Sequence, residues 1–426
     1  MHRLLLLMTT RTYRAGQFLE AARKLGVPVV VGSDREQALA AANPAGHLTL
    51  DFLAPEKAAD AIVAFAKEHP VRAVVAADDD GVILAAMAAA ALGLPHNDVE
   101  AVSAARNKHR MREVLAAAGI PSPRSALVSI DEDPHDVARR MSFPCVIKPL
   151  FLSASRGVIR ADDPAQFVAA FQRLSAILRR PEVAAQGGAL ARQILVETFI
   201  PGVEVALEGL LVEGGLRVLA LFDKPDPLEG PFFEETIYVT PSRLPASLQR
   251  AVASCTKDAV AALGLKRGPV HAELRLNDEG PWILEIAPRS IGGLCSRALR
   301  FGDGISLEEL LLRDAMGIGI ASLEREKQAA GVMMIPIPRP GMLREVQGQD
   351  EARRVPGIEE IRITIPIGQE VVPLPEGTRY LGFIFARDET PDRVEAALRE
   401  AHRRLIFDIA PTSPAEIGCS SRESSG

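Results

Sequence analysis

Two glutamates sit where a buried strand should carry only apolar side chains. In 271-HAELRLNDEGPWILEIAPRSIGG-293, His271 and Glu273 share one face of an alternating run, and Glu285 interrupts Trp282, Ile283, Leu284 and Ile286. Between the runs, Asn277, Asp278, Glu279 and Gly280 spell a hairpin turn. A carboxylate in such a place is costly unless it is paired or bound to a cation. Two carboxylates brought side by side by a hairpin suit Mg²⁺, which takes oxygen ligands and is usually shared with substrate phosphates. Arg289 follows in a Pro/Gly-containing turn and could meet an anion. Trp282 reads most simply as core, and Cys295, with no base near it in sequence, as packing.

The rest of the chain supplies a scaffold for that hairpin. Residues 1–105 alternate strand-like and helix-like runs: strands at 4–8, 27–32 and 72–77, helices at 15–25, 56–69 and 81–92. This rhythm predicts a parallel sheet with helices on its faces. Thr9, Thr10 and Arg11 follow the first strand and Asp78, Asp79 and Asp80 the third, at carboxyl ends where ligands bind in open α/β sheets. The acidic triplet reads mainly as a helix N-terminal cap, with contact to a substrate amine as the other reading. No G-x-G-x-x-G is present, which argues against a dinucleotide site. Beyond 105 the pattern predicts a helix from 108, strands at SALVSI, FPCVIKPL and QILVETFI, and a helix near 164–179. An antiparallel pair follows across Glu213–Gly215, then a helix near 245–263. Residues 321–411 carry strands near 331–335, 361–365 and 380–386 and a helix near 391–405. The tail after Ile417 is Ser-rich and reads as disordered.

Composition narrows the function classes. A net charge of -6 leaves no electrostatic footprint for nucleic acid. No apolar run reaches the length of a membrane span, and MHRLLLLMTT reads as a first buried strand rather than a signal peptide. The four cysteines (Cys145, Cys255, Cys295 and Cys419) are scattered, which argues against a zinc site or disulfide scaffold and for a cytoplasmic protein.

Several further pieces ask for one ligand. Lys148 ends an apolar strand and is followed by a small-residue loop holding Ser153, Ser155 and Gly157. Small residues let backbone N–H groups approach phosphate oxygens, and a lysine adds a point charge; a snorkelling surface lysine is the plainer reading. Lys108 opens a helix. Glu197 and Glu204 flank a turn at Pro201–Gly202, as ordinary strand-end charges or as acceptors for ribose hydroxyls. His271 reads as a structural, hydrogen-bonded histidine or a substrate contact, and Lys224 as a surface pair with Asp223 or a ligand contact. Glu234 and Glu235 read as surface-loop acids or acceptor-pocket walls, and Ser290 and Gly292 as backbone contacts to substrate.

Taken in order, NKHRMREVLAAAGIPSP, PCVIKPLFLSASRGV, ILVETFIPGVEVALEG and HAELRL…WILEIAPRSIGG resemble the ATP-grasp superfamily over about 108–320. Within it, FDKPDPLEGPFFEETIYVTPSRL and 331–411 are similar to carboxylate–amine ligases of the L-amino-acid ligase type. The resemblance implies a mixed α/β and α+β chain. It would have a pre-ATP-grasp parallel-sheet domain at 1–105 and an ATP-grasp domain at 106–320 whose small lid-like subdomain covers about 120–196. A C-terminal α+β region at 321–411 and a disordered tail at 412–426 complete it.

The same resemblance implies ATP phosphates held by Lys108 and Lys148, and a loop from Ser153 to Gly157 closing over the triphosphate, with Ala154 where a glycine is usual. Adenine would lie on Glu197, Thr198, Phe199 and Ile200, chiefly through backbone groups, and ribose on Glu204. Mg²⁺, or Mn²⁺ in its place, would be bridged by Glu273 and Glu285, with Ala287 where many members carry Asn. Arg289 would stabilise an acyl phosphate or tetrahedral intermediate. The implied activity joins a small-molecule carboxylate to an amine through an acyl phosphate, releasing ADP and phosphate. A purine-biosynthesis or biotin-carboxylase type of ligase, or an ATP-binding regulatory protein without turnover, are the competing readings. A homodimer is implied by the resemblance alone.

Overall fold

The computed structural model describes residues 2–10, 12–36 and 45–411. Arg11, Cys419 and the tail expected to be disordered lie outside the described residues.

The amino-terminal sheet is parallel throughout, in the spatial order His47–Thr49, Val29–Ser33, Arg3–Leu7, Val71–Ala76. The central strand is apolar on both faces because both are covered. Leu4 and Leu6 pack with Phe18 and Ala22 of the helix Ala15–Leu25, and Leu5 and Leu7 with Ile62 and Leu84 on the other side. Gly26 closes the first helix at φ 65, a conformation that costs a side-chain-bearing residue about 1–2 kcal/mol. The strand His47–Thr49 is too short for a periodicity signal and was not expected. Nor was the helix Leu307–Met316, far along the chain, which buries Leu312 and Met316 against the helix Ala15–Leu25.

A four-stranded antiparallel sheet forms the second layer, ordered Ser125–Ser129, Gln193–Thr198, Cys145–Pro149, Ile159–Ala161 and backed by the helix Pro164–Leu178. The largest sheet has eight antiparallel strands. Its order is Gly280–Ala287, Gly268–Asn277, Val203–Val212, Gly215–Asp223, Ile237–Thr240, Ala329–Ile335, Gly382–Asp388, Ile358–Ile363. The hairpin turn at Glu213 (φ 51) and Gly214 (φ 81) is of the two-residue kind that matches strand twist. The sheet runs without a break across residue 320, so strands read from the sequence as a C-terminal region extend the hairpin's own sheet. A third antiparallel set, Glu370–Val371, Gly341–Gln347 and Ile406–Ala410, completes that region. The cleft lies where the amino-terminal, four-stranded and eight-stranded sheets converge.

Candidate active site

Glu273 and Glu285 are direct cross-strand partners in the hairpin. The register slips by one residue at Glu273/Leu274, leaving Leu284 without a partner. This bulge sends Ile283 and Ile286 into the core while Leu284 and Glu285 line the cleft. Like charges placed opposite repel, and each acid has its own cations. Lys108 Nζ lies 3.5 Å from Glu285; Lys224 Nζ lies 3.2 Å and His271 Nε2 3.4 Å from Glu273. Trp282 departs from the expected core position. It is half-buried beside the turn and donates Nε1–H to Asn277 Oδ1 at 3.2 Å.

Period 2 along HAELR puts His271, Glu273 and Arg275 on one face, and the neighbouring strand sets Glu208 opposite His271 and Glu204 opposite Arg275. Glu204 accepts from Lys224 at 2.7 Å and Arg275 at 3.1 Å, so both its oxygens already meet cations. Lys224 is buried among Glu204, Glu235 (2.5 Å) and Glu273, not a surface pair with Asp223, which instead accepts from Ser242 and Arg243. Burial and the Glu273 carboxylate push Glu235 up to about 7. Burial would also raise Glu273, but Lys224 and His271 overcome it and hold that carboxyl well below the usual range. His271 lies between Glu208 and Glu273; burial opposes its charge, yet the two acids lift it to about 9.

On the opposite wall, Lys148 Nζ is 2.6 Å from Glu197, and Arg112 Nε donates to the other Glu197 oxygen at 2.7 Å. Arg112 and Glu197 are each 2% exposed, so the Glu197 carboxylate is an internal counter-ion. Lys108 begins the helix Lys108–Ala117, whose first turn is capped by Asn107, and donates to Leu152 O at 2.9 Å. Of the segment expected to meet adenine, the Thr198 N–H donates to Arg124 O and the Phe199 N–H to Pro144 O, and Ile200 O accepts from Arg275. The Ile200 N–H has no partner among the described residues. Phe199 is instead covered by Arg160 at 4.0 Å and Arg275 at 4.9 Å from its ring centre. In the Ser153–Gly157 loop, Ala154 (φ 55), Ser155 (φ 54) and Gly157 (φ 74) are all left-handed. Only glycine suits the last, where a Cβ would stand 2.8 Å from Leu174 and 3.3 Å from Pro149.

The acidic triplet does not act as the expected helix cap: Asp78 precedes a short 3₁₀ turn and makes no side-chain cap bond. Asp79 is taken up by two arginines, Arg106 Nη1 at 2.9 Å and Arg289 Nη2 at 2.9 Å, a stronger attraction than orphan N–H groups offer. Ser290, expected to contact substrate, is buried and accepts from Arg14 at Oγ (2.7 Å) and from Arg14 and Arg289 at its carbonyl. Gly292 does line the cleft. Glu234 does not; the adjacent Glu235 reaches it, while Glu234 pairs with the Ile337 backbone. Cys295 is buried with its sulfur 3.7 Å from that of Met334, as packing requires.

One cleft of about 1740 Å³, including its part open to solvent, brings together Lys108, Lys148, the 153–155 loop, Glu273, Glu285 and Arg289. The part of it that a ligand can fill is about 320 Å³, within the ~300–1,000 Å³ of a small-molecule pocket. Met334 and Tyr380, from beyond residue 320, form part of its wall. Arg112 and Arg275 were not singled out from sequence as site residues; Asp79 was, within the acidic triplet, as a helix cap or a contact to a substrate amine. Arg275 carried a signal, the period-2 continuation of His271 and Glu273, and Arg112 lies one turn after Lys108. Glu204, Glu235 and Glu273 converge closely enough to hold a cation, but the Lys224 ammonium already serves them. Among the described residues Glu285 has a single lysine contact, at 3.5 Å, so Glu273 with Glu285 is the donor set whose chemistry better fits a divalent ion shared with phosphates.

Comparison with known proteins gives three ordered matches: an ATP-grasp N-terminal domain at 19–96, an ATP-grasp domain at 141–298, and an L-amino acid ligase C-terminal domain 2 at 333–410. An uncharacterized protein, y4rH, of Sinorhizobium fredii is 23% identical over 96% of this chain and 84% of its own. An alanine–anticapsin ligase of Bacillus amyloliquefaciens is 26% identical over 60% of this chain; the match spans about half of that ligase, 56%. The crystal structure of an L-amino acid ligase from Bacillus licheniformis superposes with a TM-score of 0.81 at 26% identity, covering 96% of this chain and 99% of that one. With three parts matched in sequence order, the chain carries ATP-grasp domains and is similar to the L-amino acid ligases.

Proposed function

We propose that the protein is an ATP-dependent carboxylate–amine ligase that joins an amino acid, through its carboxylate, to an amine. The observation that carries this reading is the convergence on one cleft of two lysines, a backbone-rich loop, two adjacent carboxylates and an arginine. Lys108, Lys148 and the Ser153–Gly157 loop hold the triphosphate of ATP. The segment 197–200 and Glu204 hold its nucleoside. The substrate carboxylate attacks the γ-phosphorus, the bond to ADP breaks, and the amine then displaces phosphate from the acyl phosphate to give an amide. Glu273 and Glu285 would hold Mg²⁺, which when bound neutralises charge on the β- and γ-phosphates. Arg289 faces the charge that develops on the reacting carboxyl group. Closure of the loop excludes water that would hydrolyse the intermediate.

The same reading keeps the division into 1–105, 106–320 with its lid at 120–196, and 321–411, a cytoplasmic setting and assembly as a homodimer. Purine-biosynthesis and biotin-carboxylase types stand behind it because the 333–410 match is to an L-amino acid ligase domain and residues of that region line the cleft. Phosphate release with ATP and Mg²⁺ over a panel of amino-acid pairs, with products read by mass spectrometry, tests it. Amine-dependent phosphate release that is lost in Glu273→Gln and sharply reduced in Arg289→Ala is expected. ATP binding with no phosphate released for any pair would overturn it in favour of a regulatory protein.

A further inference from the structure

Arg289 is carried by an irregular segment, after the strand that ends at Ala287, yet its guanidinium is fixed. Nη2 donates to Asp79 Oδ2 at 2.9 Å and Nη1 to Ser290 O at 3.1 Å. Asp79 belongs to the amino-terminal parallel sheet, in the turn after Val71–Ala76. Its other oxygen faces Arg106 Nη1 at 2.9 Å, and Arg106 stands two residues before Lys108. Burial would raise the Asp79 carboxyl, but Arg106 and Arg289 overcome it and keep it charged. Glu285 and Glu208 also attract Arg289 through space, but Asp79 is the carboxylate that bonds it. A guanidinium has five N–H donors, so a hold on two of them leaves others to meet a ligand in the cleft.

We infer that Asp79 is a positioning residue for the ligase chemistry: it orients Arg289 toward the reacting carboxyl group and, through Arg106, ties that orientation to the start of the Lys108 helix. The inference rests on the ligase reading above. A carboxylate beside Arg289 does not add to its pull on an anion; it partly offsets it. What Asp79 supplies is direction, and a misplacement of about 1 Å at a reacting centre can cost ~100-fold in rate.

The test uses the full chain and an amino-acid pair that the wild type turns over. In Asp79→Asn, kcat for amide formation should fall about 10–100-fold while the KM for ATP moves about threefold or less. Phosphate released per amide formed should rise above one as the intermediate is lost to water. Asp79→Glu, which restores the charge on a longer arm, should recover part of the loss. Asp79→Asn added to Arg289→Ala should slow the reaction no further, because both remove one function. Independent, multiplying losses in the double variant, or kcat and KM worsening together at a wild-type phosphate-to-amide ratio, would overturn the inference. If Asp79→Asn is recovered unfolded, Asp79→Glu carries the same test, and wild-type kcat and coupling in it would count against the role. A wild type that binds ATP but releases no phosphate sinks the ligase reading first, and is distinguishable because no variant is needed to see it.

Discussion

Glu197 illustrates how a residue's role depends on partners the sequence does not announce. In ILVE it is a charge at a strand end. In the fold it is buried between Arg112 and Lys148, 85 residues before it and on the adjacent strand. Burial would raise its carboxyl, but the two cations win and hold it below the usual range, while burial, against the pull of Glu197, lowers Lys148. Removing one member of such a set leaves uncompensated buried charge, so Glu197→Gln should lose about 3–5 kcal/mol at pH 7 in urea unfolding. The sign with pH follows from the depressed value. The unfolded carboxyl titrates near 4.5, so the contribution is present above that pH and is lost as pH falls toward the folded value. The gap between wild type and Glu197→Gln should therefore narrow below about pH 4.5; a gap unchanged down to pH 3.5 would exclude this account. Lys148, Glu273, Glu285 and Arg289 were legible because each breaks a local pattern, a charge among apolar or small neighbours, whereas Lys108, between Asn107 and His109, stood out only through the order of the motifs. Asp79 broke a pattern too, yet its bond to Arg289 joins residues 210 apart and no local rule reaches that far.

At the scale of elements, period and turn chemistry predicted most strands and helices of the amino-terminal and four-stranded sheets. They failed for short pieces such as His47–Thr49, and for the bulge at Leu284, which depends on the partner strand. They also gave no hint of how the Ser153–Gly157 loop is held. The loop that would close over ATP is pinned from the C-terminal region: the Gly157 N–H donates to Pro375 O at 2.9 Å and Arg156 Nε to Glu376 O at 3.2 Å. Arg173, on the helix Pro164–Leu178 behind the four-stranded sheet, grips the Glu376 carboxylate at 2.6 and 2.8 Å. The Arg173 side chain is 45% exposed, and ion pairs of that kind contribute about 1 kcal/mol or less to global stability. Their effect should be local. Arg173→Ala is expected to leave the urea midpoint almost unchanged but to speed amide exchange in a peptide spanning 152–160, and to speed ADP release. Unaltered exchange there would show that the loop is held by its own left-handed turn alone.

For the whole molecule, the boundary that sequence suggests at residue 320 divides modules that share one sheet and one core. The strand Ile237–Thr240 is buried along its length, and its partner on one side is Ala329–Ile335, from Ile237↔Met333 to Thr240↔Ala330. The same core joins Phe222, Leu294 and Phe301 to Val332, Met334, Phe383 and Phe385. A chain ending at 320 would keep the matched ATP-grasp residues yet expose Phe222 and Phe301, both 0% exposed in the intact protein, along with an unpaired strand edge. Fully burying one such side chain is worth about 1.5–3 kcal/mol, and a domain's net stability is only about 5–15 kcal/mol. Uncovering several should leave no folded state, and an open apolar edge recruits other chains. Residues 1–320 expressed alone should therefore be insoluble, or bind a hydrophobic dye and unfold without a cooperative transition, whereas residues 1–411 should melt as the full chain does. A soluble, monomeric 1–320 fragment with a sharp urea transition would mean that the eight-stranded sheet is two independent sheets laid side by side. The continuity across residue 320 would then be a matter of hydrogen bonds rather than of shared core.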